Sequence, residues 1–457
     1  MQQRYLPTTA VRCIRRSAEA PDPRLTACAA RCFLRLALLT TLALFPALYV
    51  FSNTARAQTE EPQSRTLTLQ EALAKALEHN KELAAFGYRL EEQEGRVQQA
   101  GLLPNPQLNL LIEDAAGSGI YNGLDSAQTT LSLEWVLEQR LRRRRVDAAQ
   151  ARSALLISDA EILRLDVAAE TALKFLSSLA NQAQMRSAGE AVALAEDTVI
   201  AVKRRVRVGK APSAELTRAE AEFAIARLAQ DDVAHDLSSA YHRLAAQWGE
   251  REPTFSQVNG DLLTLPTTPS FASLTARIEQ NPRIARFLSE ERLAKASQHL
   301  AETQRWPTLR PTVGIRRYEA TDDVALVAEL KFPLPLFDRN QGQISASRAA
   351  LARTRADAEA ARVRVHTTLF ESYQELQRHL HRANTLRDII VPGLTKALEE
   401  ARLGYEQGRY SYFEWGSVQA DLLEARSALV EASAGAHRLV ISLERLTGVP
   451  VAQPGGA

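Results

Sequence analysis

Val208-Gly209-Lys210-Ala211, a glycine turn between two long helical stretches, returns 199 residues later as Gln407-Gly408-Arg409-Tyr410. The same spacing of 199 residues separates Gly249 from Gly448. Repetition at a fixed spacing is typical of an architecture built from similar units rather than of a catalytic motif. We therefore predict one body made of two tandem structural repeats.

Each repeat is predicted to contain a helix, two strands, a very long helix, a glycine turn and a second long helix. The fold class is thus mainly α with a smaller β part. The first repeat, residues 58–265, has strands at about 106–116 and 128–138 and long helices at about 140–208 and 212–248. The second repeat, residues 266–457, has strands at about 310–318 and 323–333 and long helices at about 340–404 and 411–447.

Residues 1–57 are predicted to be an export signal. Three arginines, Arg24, Arg31 and Arg35, precede an apolar run at 36–51. Ala55-Arg56-Ala57 then supplies small residues at the positions that a signal peptidase requires. We expect cleavage before Gln58, which sends the remaining chain towards the cell envelope.

Removal of this segment changes the charge and the cysteine content of the chain. The full sequence carries a net charge of +2, whereas the part after residue 57 has 48 basic and 52 acidic side chains, a net charge of −4. This balance disfavours nucleic-acid binding. The three cysteines Cys13, Cys28 and Cys32 all precede the cleavage point, so the exported chain is expected to have neither disulfides nor thiolate metal ligands.

The four predicted strands alternate between apolar and polar residues, so each has one apolar face. Leu131, Leu133 and Trp135 alternate with Ser132 and Glu134 in the clearest example. A half-buried soluble hairpin would give the same pattern. Three features favour strands that span a membrane. The strands are about nine to eleven residues long, which suits a tilted span. Trp135 and Phe332 occupy equivalent positions where an interfacial aromatic girdle would lie, and the export signal points to the envelope.

Four strands cannot close a barrel, and lipid does not tolerate open sheet edges. The chain is therefore expected to form an oligomer that completes the sheet. Two copies would make a barrel of about eight strands with a lumen filled by side chains, and three would make one of about twelve strands with room for a passage. Geometry favours three copies only if something must pass through.

The long helical stretches exceed what an ordinary domain needs. Between residues 139 and 208 there is no proline, and Gly189 is the only glycine. Leu155 and Leu156 recur one heptad later as Ile162 and Leu163, which is coiled-coil spacing. The matching stretch at 343–403 is interrupted at Pro392-Gly393, where a change of packing is expected. A periplasmic coiled-coil scaffold would explain the helices alone, but it would not explain strands of bilayer length.

A run of arginines forms the most conspicuous charge cluster: Arg140, Arg142, Arg143, Arg144 and Arg145. Binding of nucleic acid or of acidic lipid is one interpretation. The overall acidic balance favours the other, a solvated helix start just below a membrane, where cations suit lipid phosphates.

Together these features resemble the TolC-type outer-membrane efflux proteins over essentially the whole exported chain. The stretch at 67–80, LTLQEALAKALEHN, is similar to the opening helix of that family, and 103–106, LPNP, is similar to its entry into the first strand. The stretch at 332–342, FPLPLFDRNQG, is similar to the return from the last strand and is most like the cobalt–zinc–cadmium resistance subgroup.

The resemblance implies a fold and a set of partners. A homotrimer would form a twelve-stranded β-barrel in outer-membrane lipid, continued by a long α-helical periplasmic barrel. It would dock with a periplasmic adaptor protein and an inner-membrane pump of the resistance–nodulation–division type. The chain would be a passive duct rather than an enzyme, without cofactor, catalytic residues or resident metal, and the subgroup implies export of cobalt, zinc, cadmium or nickel. The alternative in the same class is a duct for drugs or small organic molecules.

The resemblance also implies a gate at the periplasmic ends of the helices. Gly209 and Gly408 would be the glycines of the helix turns. Glu215 and Glu414, six residues beyond them, match acids that narrow the entrance in the family, and in a trimer each would form a ring of like charge. The alternative is that both are ordinary exposed acids at helix starts, where the helix dipole favours them.

Two further residues belong to the implied gate. Tyr405 matches a family tyrosine that ties neighbouring helices together in the closed state. Arg409 lies one residue before the position of the usual arginine, which Tyr410 occupies here.

Overall fold

Long α-helices dominate the part of the chain that the computed structural model describes, residues 66–448. The predicted export signal lies outside this range. The α-helices are α1 (Leu69–His79), α2 (Lys81–Gly101), α3 (Gln139–Arg207), α4 (Ser213–Ala245), α5 (Phe271–Thr275), α6 (Pro282–Gln304), α7 (Gln341–Thr385), α8 (Val391–Glu406) and α9 (Tyr412–Thr447). The strands are β1 (Thr66–Thr68), β2 (Gln107–Glu113), β3 (Gln128–Glu134), β4 (Gln257–Asn259), β5 (Arg310–Tyr318) and β6 (Asp323–Lys331).

Helix α3 is continuous over 69 residues. At 1.5 Å per residue it is about 100 Å long, and the absence of proline allows its hydrogen-bond ladder to continue without a break. The helix packs against α2, α4, α6 and α9. It therefore connects the sheet, which lies at its start, to the turn at its far end.

The break predicted at Pro392-Gly393 takes the form of a π-helical segment, Leu386–Ile390, between α7 and α8. Proline has no N–H, and its ring clashes with the carbonyl four residues earlier in a regular α-helix. A wider π turn immediately before Pro392 accommodates that carbonyl. The stretch predicted as one helix at about 340–404 is accordingly two α-helices joined by this segment.

Four strands form one antiparallel sheet in the order β2-β3-β5-β6. The register aligns apolar residues in rows across it, for example Leu110, Leu131, Ile315 and Leu326. Residues in such a row share one face of the sheet. Within residues 66–448, β2 and β6 are edge strands, each with a partner on one side only.

Three of these strands are shorter than the sequence pattern predicted. Strand β2 ends at Glu113 rather than near 116, because the backbone turns at Asp114, which adopts a positive φ of 57°. Strand β3 ends at Glu134 rather than near 138, and only an isolated bridge between Leu137 and Leu309 continues the pairing. Strand β6 ends at Lys331 rather than near 333, where proline supplies no N–H for the ladder.

A small belt lies between the sheet and the far end of the helices. Strand β1 pairs in parallel with β4, with Leu67 opposite Val258. Both residues are buried in one cluster with Phe175, Leu244 and Trp248. Burial of these large apolar groups fixes the middle of α3 to the chain segment that follows α4.

Each half of the chain contains an asparagine, Asn80 or Asn281, whose side chain makes an equivalent hydrogen bond. Asn80 caps α2 and donates a side-chain hydrogen bond to the carbonyl of Gln247 at 2.9 Å. Asn281 caps α6 and donates in the same way to the carbonyl of Leu446. In each half, this bond fixes the start of one helix to the end of another.

Candidate functional site

The two glycine turns, at 208–212 and 407–411, meet at the far end of the helices, and we call the turns with the adjoining helix ends, residues 205–222 and 404–415, the tip. Gly209 and Gly408 have φ angles of 69° and 78°, a left-handed conformation that glycine adopts without steric cost and that commonly ends a helix. Arg205 links the first turn to the end of α8, because its guanidinium donates to the carbonyl of Lys210 at 3.0 Å and lies 4.4 Å from the ring centroid of Tyr405.

Tyr405 is buried, with 2% of its surface exposed, and its hydroxyl donates to Glu215 Oε2 at 2.8 Å. The bond joins the end of α8 to the first turn of α4. Burial, and then the hydrogen bond to Glu215, raise the pKa of Tyr405 above its ordinary value, so the hydroxyl keeps its proton at neutral pH. The structure thus brings together two of the residues that the sequence assigned to the gate.

A second pair of the same kind lies one heptad further along α4 and on the other side of the second glycine turn. The hydroxyl of Tyr412, at the start of α9, donates to Glu222 Oε2 at 2.5 Å. Arg218 forms an ion pair with Glu222 at 2.9 Å. The sequence analysis did not identify this pair. The signal was present, because both the tyrosines and the glutamates are spaced by seven residues.

Trp415 completes the core of the tip. Its indole is 1% exposed and stacks on the ring of Tyr405, with centroids 5.1 Å apart. Tyr412 meets the same indole edge to face at 6.5 Å. Aromatic contacts of this kind contribute about 0.5–1.5 kcal/mol each beyond the burial of their area. The two Tyr–Glu bonds are therefore held on a rigid aromatic base.

Glu414 lies elsewhere and caps α9 within a single chain. Its carboxylate accepts from the Ser411 backbone N–H at 2.7 Å and from the Ser411 hydroxyl at 2.9 Å, while its own N–H donates to Ser411 Oγ. These bonds lower the pKa of Glu414 below its ordinary value. The contacts within one chain are those of the helix-start alternative, and they leave Glu215 and Glu414 in different surroundings.

Arg409 is exposed and forms no side-chain hydrogen bond or ion pair with the described residues. Its backbone N–H donates to the carbonyl of Gly404 at 2.8 Å, which closes the turn. The ring of the following residue, Tyr410, packs directly on Gly404, where a side chain would clash. Arg409 is therefore part of the turn, without a link of its own to a neighbouring helix.

The other end of the molecule presents the apolar face of the sheet. Its leucines are strongly exposed, including Leu108 at 69% and Leu326 at 76%. Trp135 and Phe332 are about half exposed, and each directly follows the last residue of its strand, β3 or β6. The two aromatic residues therefore border the apolar face on the side where the helices begin.

The opposite face of the sheet is polar and internally bonded. Arg316 donates to Thr130 Oγ1 at 2.8 Å and to Gln128 Oε1 at 3.2 Å, and it forms an ion pair with Glu113 at 3.2 Å. These partners lie on β3 and β2, so Arg316 links its own strand, β5, to both of them. The network gives the polar face a fixed arrangement of charge.

Among residues 66–448, no group of three or more histidine, cysteine or acidic side chains is arranged to hold a metal ion. In the same part of the chain, none of the helices combines the length and the apolar character that crossing a membrane requires.

Comparison with known proteins gives consistent matches. The family model described as "Outer membrane efflux protein" matches residues 72–250 and 275–449. The cobalt-zinc-cadmium resistance protein CzcC of Cupriavidus metallidurans is 28% identical over 383 residues, covering 84% of this chain and 90% of that protein. The nickel-cobalt-cadmium resistance protein NccC of Alcaligenes xylosoxydans is 28% identical over 270 residues, covering 57% of this chain and 59% of that protein.

Solved structures share the fold at low sequence identity. The channel protein CusC superposes with a TM-score of 0.69 at 17% identity, covering 83% of this chain and 92% of that chain. The outer membrane protein VceC of Vibrio cholerae superposes with a TM-score of 0.66 at 19% identity, covering 84% of this chain and 96% of that chain.

Proposed function

The chain belongs to the outer membrane efflux protein family, and from this premise we propose that it is the exit duct of a tripartite resistance–nodulation–division pump for divalent heavy-metal cations. It is an outer-membrane efflux channel component, and channels of this kind work with an adaptor and an inner-membrane pump. The proposal that the exported ions are divalent heavy metals rests on the similarity, over 84% of the chain, to a protein named for cobalt, zinc and cadmium resistance. We assign it no catalytic activity, because the family and the fold are those of channels.

The sheet supports assembly into a trimer. One chain exposes an apolar face and two edges, and exposed edges are not stable in lipid. Three copies of the four-stranded sheet would supply twelve strands, and pairing β6 of one copy with β2 of the next would close them into a barrel. The apolar face would then meet outer-membrane lipid, and the polar face with Arg316 would line the lumen.

Equivalent bonds in the two halves support the tandem repeat. Asn80 and Asn281 cap corresponding helices and bond to corresponding carbonyls. Gly209 and Gly408 end corresponding helices with nearly the same φ. In a trimer, two similar halves per chain would give the helical part of the duct six similar units around its axis.

The tip is proposed as the periplasmic gate. Tyr405 and Glu215 join α8 to α4 and would hold the entrance narrow. Rings of Glu215 and Glu414 in the trimer would attract cations and repel anions, which suits a cationic cargo.

Growth on metals tests the cargo. Deletion of the gene should lower the tolerated concentrations of zinc, cobalt, cadmium or nickel while leaving tolerance to organic drugs and solvents unchanged, and the intact gene supplied on a plasmid should restore growth. Loss of drug tolerance with normal metal tolerance would instead support the alternative, a duct for small organic molecules.

Extraction separates a membrane duct from a periplasmic coiled-coil scaffold. A barrel requires detergent, because its lipid-facing residues leave the bilayer only with an apolar substitute. A scaffold is released by concentrated salt alone. Recovery of the protein in the salt wash as a monomer would exclude the duct.

Planar-bilayer recordings test the charged rings. Replacement of both acids, Glu215→Ala and Glu414→Ala, should reduce the preference of the purified channel for cations over anions. A control is Glu406→Ala, which removes an exposed acid that forms a long ion pair with Arg402, at 3.8 Å. Cation selectivity that is the same in the double variant and in the unaltered channel would rule out the two acids as the constriction.

A further inference from the structure

An arginine-lined cavity lies at the start of α3. Its volume is about 480 Å³, and it is lined by Arg140, Arg142, Arg143, Arg144, Val146, Asp147 and Thr303. Four arginines and one aspartate are thus among the residues that line a space large enough for a phosphate group and its substituents. Like charges at this density repel each other unless an anion lies among them.

Among residues 66–448, few charged partners compensate the positive charge of the arginines that line this cavity. Arg144 pairs with Asp147 at 3.2 Å. Arg140, Arg142 and Arg143 form no side-chain hydrogen bond or ion pair with the described residues. Each retains five N–H donors in a planar fork, a geometry that matches two oxygens of one phosphate.

The cavity lies where lipid headgroups would be. Trp135 ends the apolar face of the sheet, and Arg140 follows five residues later in the first turn of α3. Arg140 to Arg144 extend over about 6 Å along the helix axis. A headgroup layer is about 5–7 Å thick on each side of the hydrocarbon core. The arginines therefore match the phosphate layer of the periplasmic leaflet.

The helix also directs two of these arginines to the lipid side. Arg145 forms an ion pair with Glu138, which lies four residues after Glu134, the last residue on the polar face of β3. Successive residues are rotated by about 100° around a helix, so Arg140 and Arg143 lie on the side of α3 opposite Arg145. Both are exposed. Their side is thus the one that continues the apolar face of the sheet.

We propose that this cavity binds the phosphate group of an anionic glycerophospholipid of the periplasmic leaflet. The site depends on the proposed placement of the sheet in the membrane. It would fix the depth of each chain in the bilayer, because the aromatic border above and the arginines below would hold one headgroup between them. Phosphate supplies the charge and the acceptors, and the acyl chains lie along the apolar face.

Lipid binding to the purified channel tests the proposal. Native mass spectrometry in detergent would count phosphatidylglycerol and phosphatidylcholine bound to the unaltered protein and to a triple variant, Arg140→Gln, Arg143→Gln and Arg144→Gln. The control variant is Arg364→Gln, Arg378→Gln and Arg382→Gln, which removes the same charge from exposed arginines of α7. A parallel titration with inorganic phosphate separates the lipid from its headgroup alone.

Phosphatidylglycerol should bind the unaltered and control proteins equally, and the triple variant on the order of a hundredfold more weakly, since each near-surface arginine contributes about fivefold to affinity for an anionic membrane. Arg143→Gln alone should weaken lipid binding about fivefold, and this single variant tests the proposal if the triple variant does not assemble.

Equal lipid binding in all variants would overturn the proposal. A triple variant that keeps lipid but changes conductance would also overturn it, because the arginines would then line the lumen. Binding of inorganic phosphate as tight as that of lipid would also contradict it. A need for detergent during extraction, checked on the same samples, shows separately whether the membrane placement holds.

Discussion

Two tyrosines, Tyr405 and Tyr412, carry the hydrogen bonds at the tip. Both are buried, and burial together with the glutamate partner raises the pKa of each hydroxyl. Each therefore remains a proton donor throughout the physiological pH range. Both bond to carboxylates of α4, Glu215 and Glu222, so one helix is fixed at two points a heptad apart.

Removal of the second bond should loosen the tip. We expect Tyr412→Phe to remove one of the two donors to Glu222, which keeps its ion pair with Arg218, and to cost about 0.5–1.5 kcal/mol in the closed arrangement. Single-channel recordings should then show larger or more frequent openings, and Tyr412→Phe combined with Tyr405→Phe should open the channel further than either change alone. The control is Tyr88→Phe, at a tyrosine that is 70% exposed. Identical conductance in Tyr412→Phe and the control would show that this bond does not hold the gate.

The sequence supplied one of these pairs and missed the other for a physical reason. Tyr405 and Glu215 were identified through a family resemblance, whereas Tyr412 and Glu222 were not identified. The partners in each pair are 190 residues apart, and periodicity within one helix does not show which distant helix packs against it. The available signal was that the two tyrosines, like the two glutamates, are seven residues apart in the sequence. Glu414 illustrates the opposite case, because its capping box with Ser411 is a local pattern visible in the sequence.

At the scale of elements, Gly314 shows how closely two strands of the sheet approach. A Cβ at this position would lie 2.5 Å from the Leu131 carbonyl oxygen and 2.5 Å from Ser132 Cβ. We expect Gly314→Ala to force β3 and β5 apart at a cost of about 1–3 kcal/mol. The yield of heat-resistant assembled channel should fall. Gly393→Ala, where a Cβ has open space around it, is the control, and a normal yield for Gly314→Ala would contradict the strand pairing.

His437 connects α9 to the segment after β4, because its Nε2 lies 3.2 Å from the carbonyl of Leu262. Burial lowers the pKa of His437 below its ordinary value of 6.5, although the carbonyls of Leu262 and Thr264 and the charge of Asp261 act in the opposite direction. The folded chain therefore resists protonation more than the unfolded chain does. The contribution of His437 to the free energy of unfolding is complete above about pH 6.5, and it is lost as the pH falls through the lower pKa of the folded state.

Thermal unfolding at several pH values checks this contribution. Between pH 6.5 and 5 the stability of the unaltered protein should decline by at most about 1.4 kcal/mol per pH unit from this group. His437→Gln, which keeps a side-chain donor for Leu262, should flatten the decline. His381→Gln, at an exposed histidine, should leave it unchanged. If the slope is the same in His437→Gln and in the unaltered protein, another group is responsible.

Periodicity predicted the elements well where one period continued without interruption. A proline-free stretch gave α3, whose bounds at Gln139–Arg207 differ by one residue from those predicted. The ends of β2 and β3 were less accurate, because an alternating pattern continues past the residue where the backbone turns. The π segment before Pro392 was anticipated only as a break. The choice of a π turn depends on how α7 and α8 pack against α9, which the local sequence does not reveal.

At the scale of the whole molecule, the family and the location agree with the sequence. The resemblance to TolC-type efflux proteins and to the heavy-metal resistance subgroup is confirmed by the matching family model and the curated relatives. The trimer and its closed barrel stay predictions, because they depend on contacts between copies. The exposed apolar face of the sheet makes the contact with lipid testable by mutation.

One residue on each face of β6 provides that test. Leu326→Arg would place a charge on the apolar face, where an arginine at the bilayer midplane costs about 2–4 kcal/mol. Val327→Arg, the next residue, would place the same charge on the polar face. We expect Leu326→Arg to reduce the amount of assembled channel in the outer membrane and Val327→Arg to leave it nearly normal. Equal amounts of both variants would mean that the apolar face does not meet lipid.

The parallel pair of β1 and β4 determines when the belt can form during synthesis. Thr66 pairs with Gln257, so more than half of the chain must emerge before this contact can close. A long intervening segment makes closure slow, because its entropy must be lost before the contact stabilises anything. The hairpin of β2 and β3 is complete well before that point, so its apolar face stays without its neighbours until β5 and β6 have followed.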